Sequence, residues 1–127
     1  LISPEFQARK GMLGTTFGGN YLAMAAALSV LDIIEKEGLI DNALKVGGYL
    51  KDNIPASPRI KEVRGRGLML GIEFGEDVAP IRKALLEEEH IFTGVAGRNM
   101  VRLLPPLCLS IEQADRFLEA FSKIISK

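Results

Sequence analysis

The chain has 127 residues, the length of one domain, since autonomous folding units usually hold roughly 100 to 200 residues. Hydrophobic residues make up 47% and charged residues 25%, a balance that excludes intrinsic disorder. Sixteen lysines and arginines offset sixteen acidic residues, so the chain lacks the basic field that attracts nucleic acid or an anionic membrane. Cys108 is the only cysteine, which excludes an intrachain disulfide and a cysteine-based zinc site and indicates a reducing compartment, the cytoplasm.

One long stretch, residues 11–31, carries no charge and has the length of a membrane span. Its first half is rich in glycine and threonine, and its uniformly apolar part covers only about half of the roughly 20 residues that a bilayer requires. The stretch therefore predicts a buried helix behind a glycine-rich loop. The N-terminus has no initiator Met and no signal-peptide pattern, so we interpret the chain as part of a longer protein.

Two helices are predicted in the first half of the chain. The first covers residues 20–37, with Asn20 as its cap and Gly38 just past its end. It is apolar on most sides, so we expect other elements to cover it. The second is amphipathic, covers residues 40–54 and ends at Pro55, although Gly47 and Gly48 weaken its middle.

The second half changes from helical to alternating periodicity. Alternation predicts a strand over residues 68–74 with Leu70 and Ile72 on one face, and residues 60–63 are either its partner or its first half. Asp77 begins a short helix that runs to about residue 89, and residues 91–95 and 100–104 predict a hairpin. Ser110 begins the last helix with a capping box. The expected fold is α+β, a small antiparallel sheet packed against helices.

The glycine-rich loop, residues 14–20, is one candidate site. It places the hydroxyls of Thr15 and Thr16 between glycines just before a helix, where free backbone N–H groups and the helix dipole favour phosphate. It is not a Walker loop, because no lysine follows the last glycine. A plain turn is the alternative, since glycine-rich loops that enter helices are common.

Arg102 is the second candidate, because it stands among apolar strand residues and no acidic residue occurs from residue 91 to residue 111. A buried guanidinium needs an anionic partner from elsewhere in the fold, another chain or a ligand. The carboxylate of a substrate would match its planar fork. The alternatives are an arginine whose charged end extends to solvent and an arginine held in a structural ion pair.

The remaining candidates favour structural roles. Residues 65–71 have the wrong glycine spacing for a dinucleotide loop and are followed by a strand. His90 is predicted to be a solvated helix cap, and Cys108 a buried apolar filler. Neither a Ser-His-Asp arrangement nor metal-ligand spacing occurs, so the sequence contains no complete catalytic apparatus and no expected metal site.

Three segments occur in the order known from one enzyme family: residues 14–20 with the alanine-rich helix behind them, residues 63–73 and residues 99–107. Together they resemble the class III, fold-type I pyridoxal-phosphate aminotransferases, most closely the acetylornithine and succinylornithine aminotransferases. The resemblance implies the C-terminal small domain of such an enzyme. Residues 1–19 would then be a loop from the large domain, residues 20–54 a linking helix and the helix after it, and residues 55–127 the small domain itself.

The resemblance also implies roles for single residues. Thr16, with Thr15 beside it, matches the threonine that reaches across a homodimer to the cofactor phosphate, and Arg102 matches the arginine that holds the substrate α-carboxylate. Leu13 and Tyr21 depart from the residues common in relatives, His and Pro, so the loop entry is expected to differ. The lysine that carries the cofactor lies upstream in the family, and none of the eight lysines here matches it. The chain by itself is therefore expected to be inactive, with no catalytic residue of its own.

The implied function is transfer of the δ-amino group of an N-acylated ornithine to 2-oxoglutarate in arginine biosynthesis, with pyridoxal 5'-phosphate as cofactor. Because the three motifs are shared broadly, an ornithine or a 4-aminobutyrate aminotransferase is an alternative within the family. A dimerisation or packing module without chemistry is the alternative outside it.

Overall fold

The computed structural model describes residues 5, 9–12 and 14–127 and shows the α+β fold that the sequence predicts. The strands form one antiparallel sheet in the order β1-β2-β4-β3. Helices from both halves of the chain pack on one side of it. The elements are α1 (Tyr21–Lys36), α2 (Leu39–Asn53), β1 (Ile60–Arg66), β2 (Met69–Phe74), α3 (Ala79–Glu89), β3 (Gly94–Val95), β4 (Met100–Leu103) and α4 (Ile111–Ile125).

The predicted caps begin α1 and α4. The side chain of Asn20 accepts a hydrogen bond of 3.0 Å from the backbone N–H of Ala23 at the start of α1. Ser110 and Gln113 form the reciprocal capping box of α4, with bonds of 3.3 and 3.0 Å. The prediction that Asp77 caps α3 is wrong by one residue: Val78 is the N-cap and makes no side-chain capping bond, while Asp77, one position earlier, accepts the N–H of Ala79 at 2.9 Å in an Asx turn. Each cap satisfies a donor that the first helical turn leaves free.

The alternation of β2 separates the two faces of the sheet. Leu70, Ile72 and Phe74 are almost completely buried, as the pattern predicts, and Phe121 of α4 packs edge-on against Phe74 with ring centroids 6.3 Å apart. Leu68 is also buried, but it lies in the turn before β2. The core therefore lies between this face and helices α2, α3 and α4, and the opposite face of the sheet is open to solvent.

Gly47, in the middle of α2, allows a close contact between this helix and the turn that joins β1 to β2. A Cβ atom at Gly47 would lie 2.0 Å from the carbonyl oxygen of Gly67, whereas a Cβ at Gly48 would meet nothing within 4 Å. Glycine at position 47 lowers helix propensity, but its missing side chain permits a backbone contact that no other residue type allows.

Gly47→Ala is expected to lower the free energy of unfolding of the chain by about 1–3 kcal/mol, because the added methyl group forces α2 away from the turn. Gly48→Ala is the matched control, and we expect it to raise that free energy by up to about 1 kcal/mol through helix propensity. Equilibrium urea unfolding of the two variants measures both changes. Equal stability of the two variants would contradict the close contact.

The described part of the chain leaves most of α1 uncovered. All residues from position 21 to position 33 are exposed, and Tyr21, Leu22 and Leu28 are 87%, 80% and 65% exposed. The reason is geometric: α1 contacts α2 mainly near its C-terminal end, where Ile34 is half-buried. Within the described part of the chain, no helix has both the length and the apolar character needed to cross a membrane.

Candidate functional site

Arg102 lies on the open face of the sheet, defined here as the face that carries Arg64, Gly71 and Glu73. The strand register places Arg64, Gly71, Arg102 and Gly94 in one row across all four strands. Directly opposed residues of antiparallel strands point to the same face. Both immediate cross-strand neighbours of Arg102 are therefore glycines, which carry no side chains.

The side chain of Arg102 occupies part of this space. A Cβ atom at Gly94 would lie 3.1 Å from Arg102 Nε, so the arginine lies over β3. On the other side, the sulfur of Met100 lies 2.8 Å from the position of a Cβ at Gly71. Met100 thus covers Gly71, and Arg102 extends toward the sheet edge.

The prediction that Arg102 is buried is wrong. The alternation along β4 turns Val101 and Leu103 into the core and Arg102 to the open face, where it is exposed. Its guanidinium has neither an ion pair nor a hydrogen bond with any residue that the structure describes. An exposed, unpaired guanidinium on rigid strand backbone is available to a carboxylate ligand.

The acidic side chains of the open face are paired with a different arginine. Arg64 Nη1 donates to Glu73 Oε2 at 2.6 Å and to Glu62 Oε2 at 2.5 Å. Asn99 Nδ2 donates to the other oxygen of Glu73, Oε1, at 3.4 Å. The hydrogen bond to Glu73 and then that to Glu62 raise the pKa of Arg64 above its ordinary value. Glu73 is therefore engaged through both carboxylate oxygens.

A cleft of about 570 Å³ lies beside Arg102, between the segment before β3, the segment after β4 and the helix α4. Thr93 lines it and is buried, and its hydroxyl has no hydrogen-bond partner among the described residues. Arg82 Nη2 donates to the carbonyl oxygen of Thr93 at 3.0 Å and holds this segment against α3. Two cations, Arg102 and Arg116, and apolar walls suit a small molecule with a carboxylate and an aliphatic chain. The apolar walls include Phe92, Leu104, Pro105, Leu109 and Phe117.

His90 and Cys108 are both exposed. His90 ends α3 in the left-handed conformation with φ 56°, as expected for a solvated cap. The prediction that Cys108 is a buried filler is wrong. It lies in the turn after β4, where its neighbours Leu107 and Leu109 pack against the core and leave the cysteine outside. His90 lines the cleft beside Arg102, whereas Cys108 does not.

The second candidate, the loop before α1, presents both of its threonines to solvent. The loop is tight: a Cβ at Gly18 would lie 2.2 Å from the methyl group of Thr15, and Gly19 has a φ of +76°. The first turn of α1 contains no acidic residue, which suits a phosphate dianion. Asn20 accepts the N–H of Ala23, so fewer first-turn donors remain for a phosphate at this loop. Leu13 lies outside the described residues.

The structure does not bring the two candidates together within one chain. Thr16 precedes α1, whose exposed part, residues 21–33, extends about 20 Å at 1.5 Å per residue. Packing against the rest of the domain begins only near the C-terminal end of α1, and Arg102 belongs to the sheet beyond it.

Sequence reasoning missed the surroundings of Arg102. The alternation of β2 indicates that Gly71 and Glu73 share a face, but the register that places Gly71 and Gly94 on either side of Arg102 is a long-range property. Nothing in the motif of residues 63–73 shows that Arg64 pairs with Glu73.

Solved structures show which class of protein has this fold. The ornithine aminotransferase of Plasmodium yoelii superposes with a TM-score of 0.81 at 34% identity, over 94% of this chain and 33% of that one. The acetylornithine aminotransferase of Elizabethkingia anophelis gives a TM-score of 0.80 at 31% identity, over 94% of this chain and 33% of that one. The ornithine aminotransferase of Toxoplasma gondii gives a TM-score of 0.82 at 30% identity, over 93% of this chain and 29% of that one. Pyridoxal phosphate partially occupies the active site in that structure. The fold is that of a domain of the fold-type I, pyridoxal-phosphate-dependent aminotransferases.

The family model of the class-III aminotransferases matches residues 4–125. The chain belongs to this family, whose members depend on pyridoxal phosphate. The resemblance noted in the sequence is thereby confirmed.

Curated relatives carry several substrate names. The chain is 43% identical to the LysW-aminoadipate semialdehyde transaminase of Deinococcus radiodurans, over 89% of this chain and 27% of the relative. It is 40% identical to the ornithine aminotransferase of Staphylococcus carnosus, over 91% of this chain and 30% of the relative. It is 43% identical to acetylornithine aminotransferase 1 of Bordetella pertussis, over 92% of this chain and 30% of the relative. The chain thus spans about three-tenths of the length of these relatives.

Proposed function

We propose that the chain is the C-terminal part of a class-III aminotransferase that transfers the δ-amino group of an N-acylated ornithine to 2-oxoglutarate in arginine biosynthesis. The observation that carries this proposal is Arg102, an unpaired guanidinium between two glycines on the open face. Membership of the family and the acetylornithine aminotransferases among the relatives support it.

Arg102 holds a substrate carboxylate in this proposal. Its planar fork donates two parallel hydrogen bonds, which fix both the position and the orientation of the carboxylate. The strand backbone on either side is rigid, because Val101 and Leu103 anchor it in the core. The largely apolar cleft beside Arg102 offers space for the aliphatic part of a substrate.

Thr16, with Thr15, would hold the cofactor phosphate through side-chain hydroxyls. When it is bound, pyridoxal phosphate supplies an electron sink for the reacting carbon. The separation of Thr16 from Arg102 along α1 supports a homodimer in which one site takes Arg102 from one chain and Thr16 from its partner. The exposed apolar side chains of α1 would then be covered in the assembled enzyme. The division into residues 1–19, 20–54 and 55–127 and the cytoplasmic location stay predictions.

Amine transfer by the full-length protein tests the proposal. We expect the highest kcat/KM with N-acetylornithine or N-succinylornithine, and lower values with ornithine and with 4-aminobutyrate. A preference for unacylated ornithine would instead favour an ornithine aminotransferase, which the relatives from Staphylococcus and Plasmodium support as the second candidate. Absence of all transfer would favour a packing module.

The 127-residue chain is the natural control in this assay. None of its eight lysines matches the lysine that carries the cofactor in the family, so we expect no transfer and no cofactor retained after dialysis. A borohydride-trapped adduct at one specific lysine of this chain would contradict that expectation.

A further inference from the structure

Asn42, near the start of α2, holds the segment that joins β4 to α4. Its side-chain nitrogen Nδ2 donates to the carbonyl oxygen of Leu107 at 2.7 Å and to that of Leu109 at 3.1 Å. An amide nitrogen carries two hydrogens, so these two bonds use its full capacity as a donor. Both partners of each bond belong to this chain, and Asn42 is half-buried between them and the rest of α2.

These two bonds fix the backbone of the segment. Among the residues that the structure describes, they are the only hydrogen bonds that join residues 105–109 to a helix or strand. The side chains of Leu107 and Leu109 also pack against the core, but apolar contacts have no preferred direction. The directional bonds from Asn42 therefore set where the carbonyl groups of this segment lie.

The same segment forms one wall of the cleft beside Arg102. Leu104, Pro105, Pro106 and Leu109 all line this cleft. A proline ring fixes its own φ near −65°, and a residue that precedes a proline is restricted to extended backbone. The wall is therefore stiff, and a displacement at the end that Asn42 holds moves the wall instead of being absorbed before β4.

We infer that Asn42 is a positioning residue for the proposed reaction: by holding residues 107 and 109, it fixes the cleft wall that selects the length of the substrate chain. This inference rests on the proposed function, in which Arg102 holds the substrate carboxylate and the cleft takes the aliphatic part. A fixed wall favours one chain length, because one methylene group too many or too few changes kcat/KM by about 10-fold to 200-fold in an apolar pocket. Asn42 itself acts only through the backbone of the wall.

The test compares two oxo-acid acceptors in the full-length enzyme, 2-oxoglutarate and 2-oxoadipate, which is longer by one methylene group. Asn42→Leu keeps the approximate size of the side chain and removes both donors. We expect it to lower the ratio of kcat/KM for 2-oxoglutarate to kcat/KM for 2-oxoadipate by about threefold to tenfold, a part of the discrimination that one methylene group provides. This ratio is independent of the fraction of enzyme that is folded, so a loss of stability alone leaves it unchanged.

Tyr49→Phe is the matched control. The hydroxyl of Tyr49, on the same helix, donates to Asp115 of α4, and neither residue lines the cleft. The variant therefore removes a bond between α2 and another element without releasing the wall. We expect a lower melting temperature from both Tyr49→Phe and Asn42→Leu, but an unchanged ratio from Tyr49→Phe.

A second variant covers the case in which Asn42→Leu does not fold. Asn42→Asp keeps the shape of the side chain, and an acidic group close to the start of a helix is favourable. It replaces both donors by acceptors that face two carbonyl oxygens, so we expect the same fall in the ratio.

The outcomes are distinct. An unchanged ratio in the folded Asn42 variant overturns the inference, and so does an equal fall in Tyr49→Phe. Arg102→Met tests the proposed function itself, through the KM for 2-oxoglutarate and the calorimetric affinity for glutarate, which has two carboxylates and no reacting group. If Arg102→Met leaves both values unchanged, the carboxylate role of Arg102 fails. If Arg102→Met weakens both and the ratio stays unchanged in the Asn42 variant, only the inference about Asn42 fails.

Discussion

Replacing Arg102 by lysine in the full-length enzyme is expected to lower kcat/KM for 2-oxoglutarate by about 30-fold to 1,000-fold, a loss of roughly 2–4 kcal/mol of transition-state stabilisation. The charge survives, but an ammonium group on a flexible stem cannot donate two parallel hydrogen bonds to a carboxylate. The substrate then loses affinity and also the alignment of its reacting carbon over the cofactor. Steady-state rates for each half-reaction measure the change.

Melting curves separate this result from a loss of stability. Arg102 makes no ion pair or hydrogen bond with the described residues, so Arg102→Lys is expected to leave the melting temperature unchanged. Arg98→Lys is the control in the same hairpin, since Arg98 is 89% exposed and pairs with Asp77 on the surface. We expect normal kinetics from it. Normal kinetics for Arg102→Lys with a clear drop in melting temperature would remove Arg102 from the active site.

Replacing Thr16 by valine in the full-length enzyme is expected to weaken cofactor binding by about one to two orders of magnitude. Valine has nearly the same shape as threonine, so the change removes one hydrogen bond to a charged phosphate, worth roughly 1.5–3 kcal/mol. The dissociation constant of pyridoxal phosphate, obtained from cofactor absorbance after equilibrium dialysis, measures the loss.

Thr93→Val is a suitable control for Thr16→Val. The hydroxyl of Thr93 is buried without a partner among the described residues, so its removal is expected to leave cofactor affinity unchanged. Glutarate affinity should stay normal in Thr16→Val, because Arg102 is untouched. Unchanged cofactor affinity in Thr16→Val would make the loop of residues 14–20 a plain turn.

The sequence by itself determined the local features of this domain. The caps at Asn20 and Ser110 and the alternation of residues 68–74 appear in the structure where the pattern predicts them. Such features depend on residues a few positions apart, whose chemistry can be read directly from the chain. The same holds for the family motifs, which are contiguous segments.

The tertiary structure alone decided what surrounds each candidate residue. Arg102 looked buried because its sequence neighbours are apolar, yet β4 turns it to the open face. The apolar α1 looked covered, yet the described part of the chain covers little more than its C-terminal end.

The physical reason is that strand register and helix packing join residues far apart in sequence. The row of Arg64, Gly71, Arg102 and Gly94 and the contact of Gly47 with the β1–β2 turn exist only after the sheet and α2 have assembled. A shift of register by one residue would turn Arg102 into the core. Glu73 forms its ion pair with Arg64 and none with Arg102 among the described residues. This arrangement depends on the assembled sheet, so no single segment of the sequence contains it.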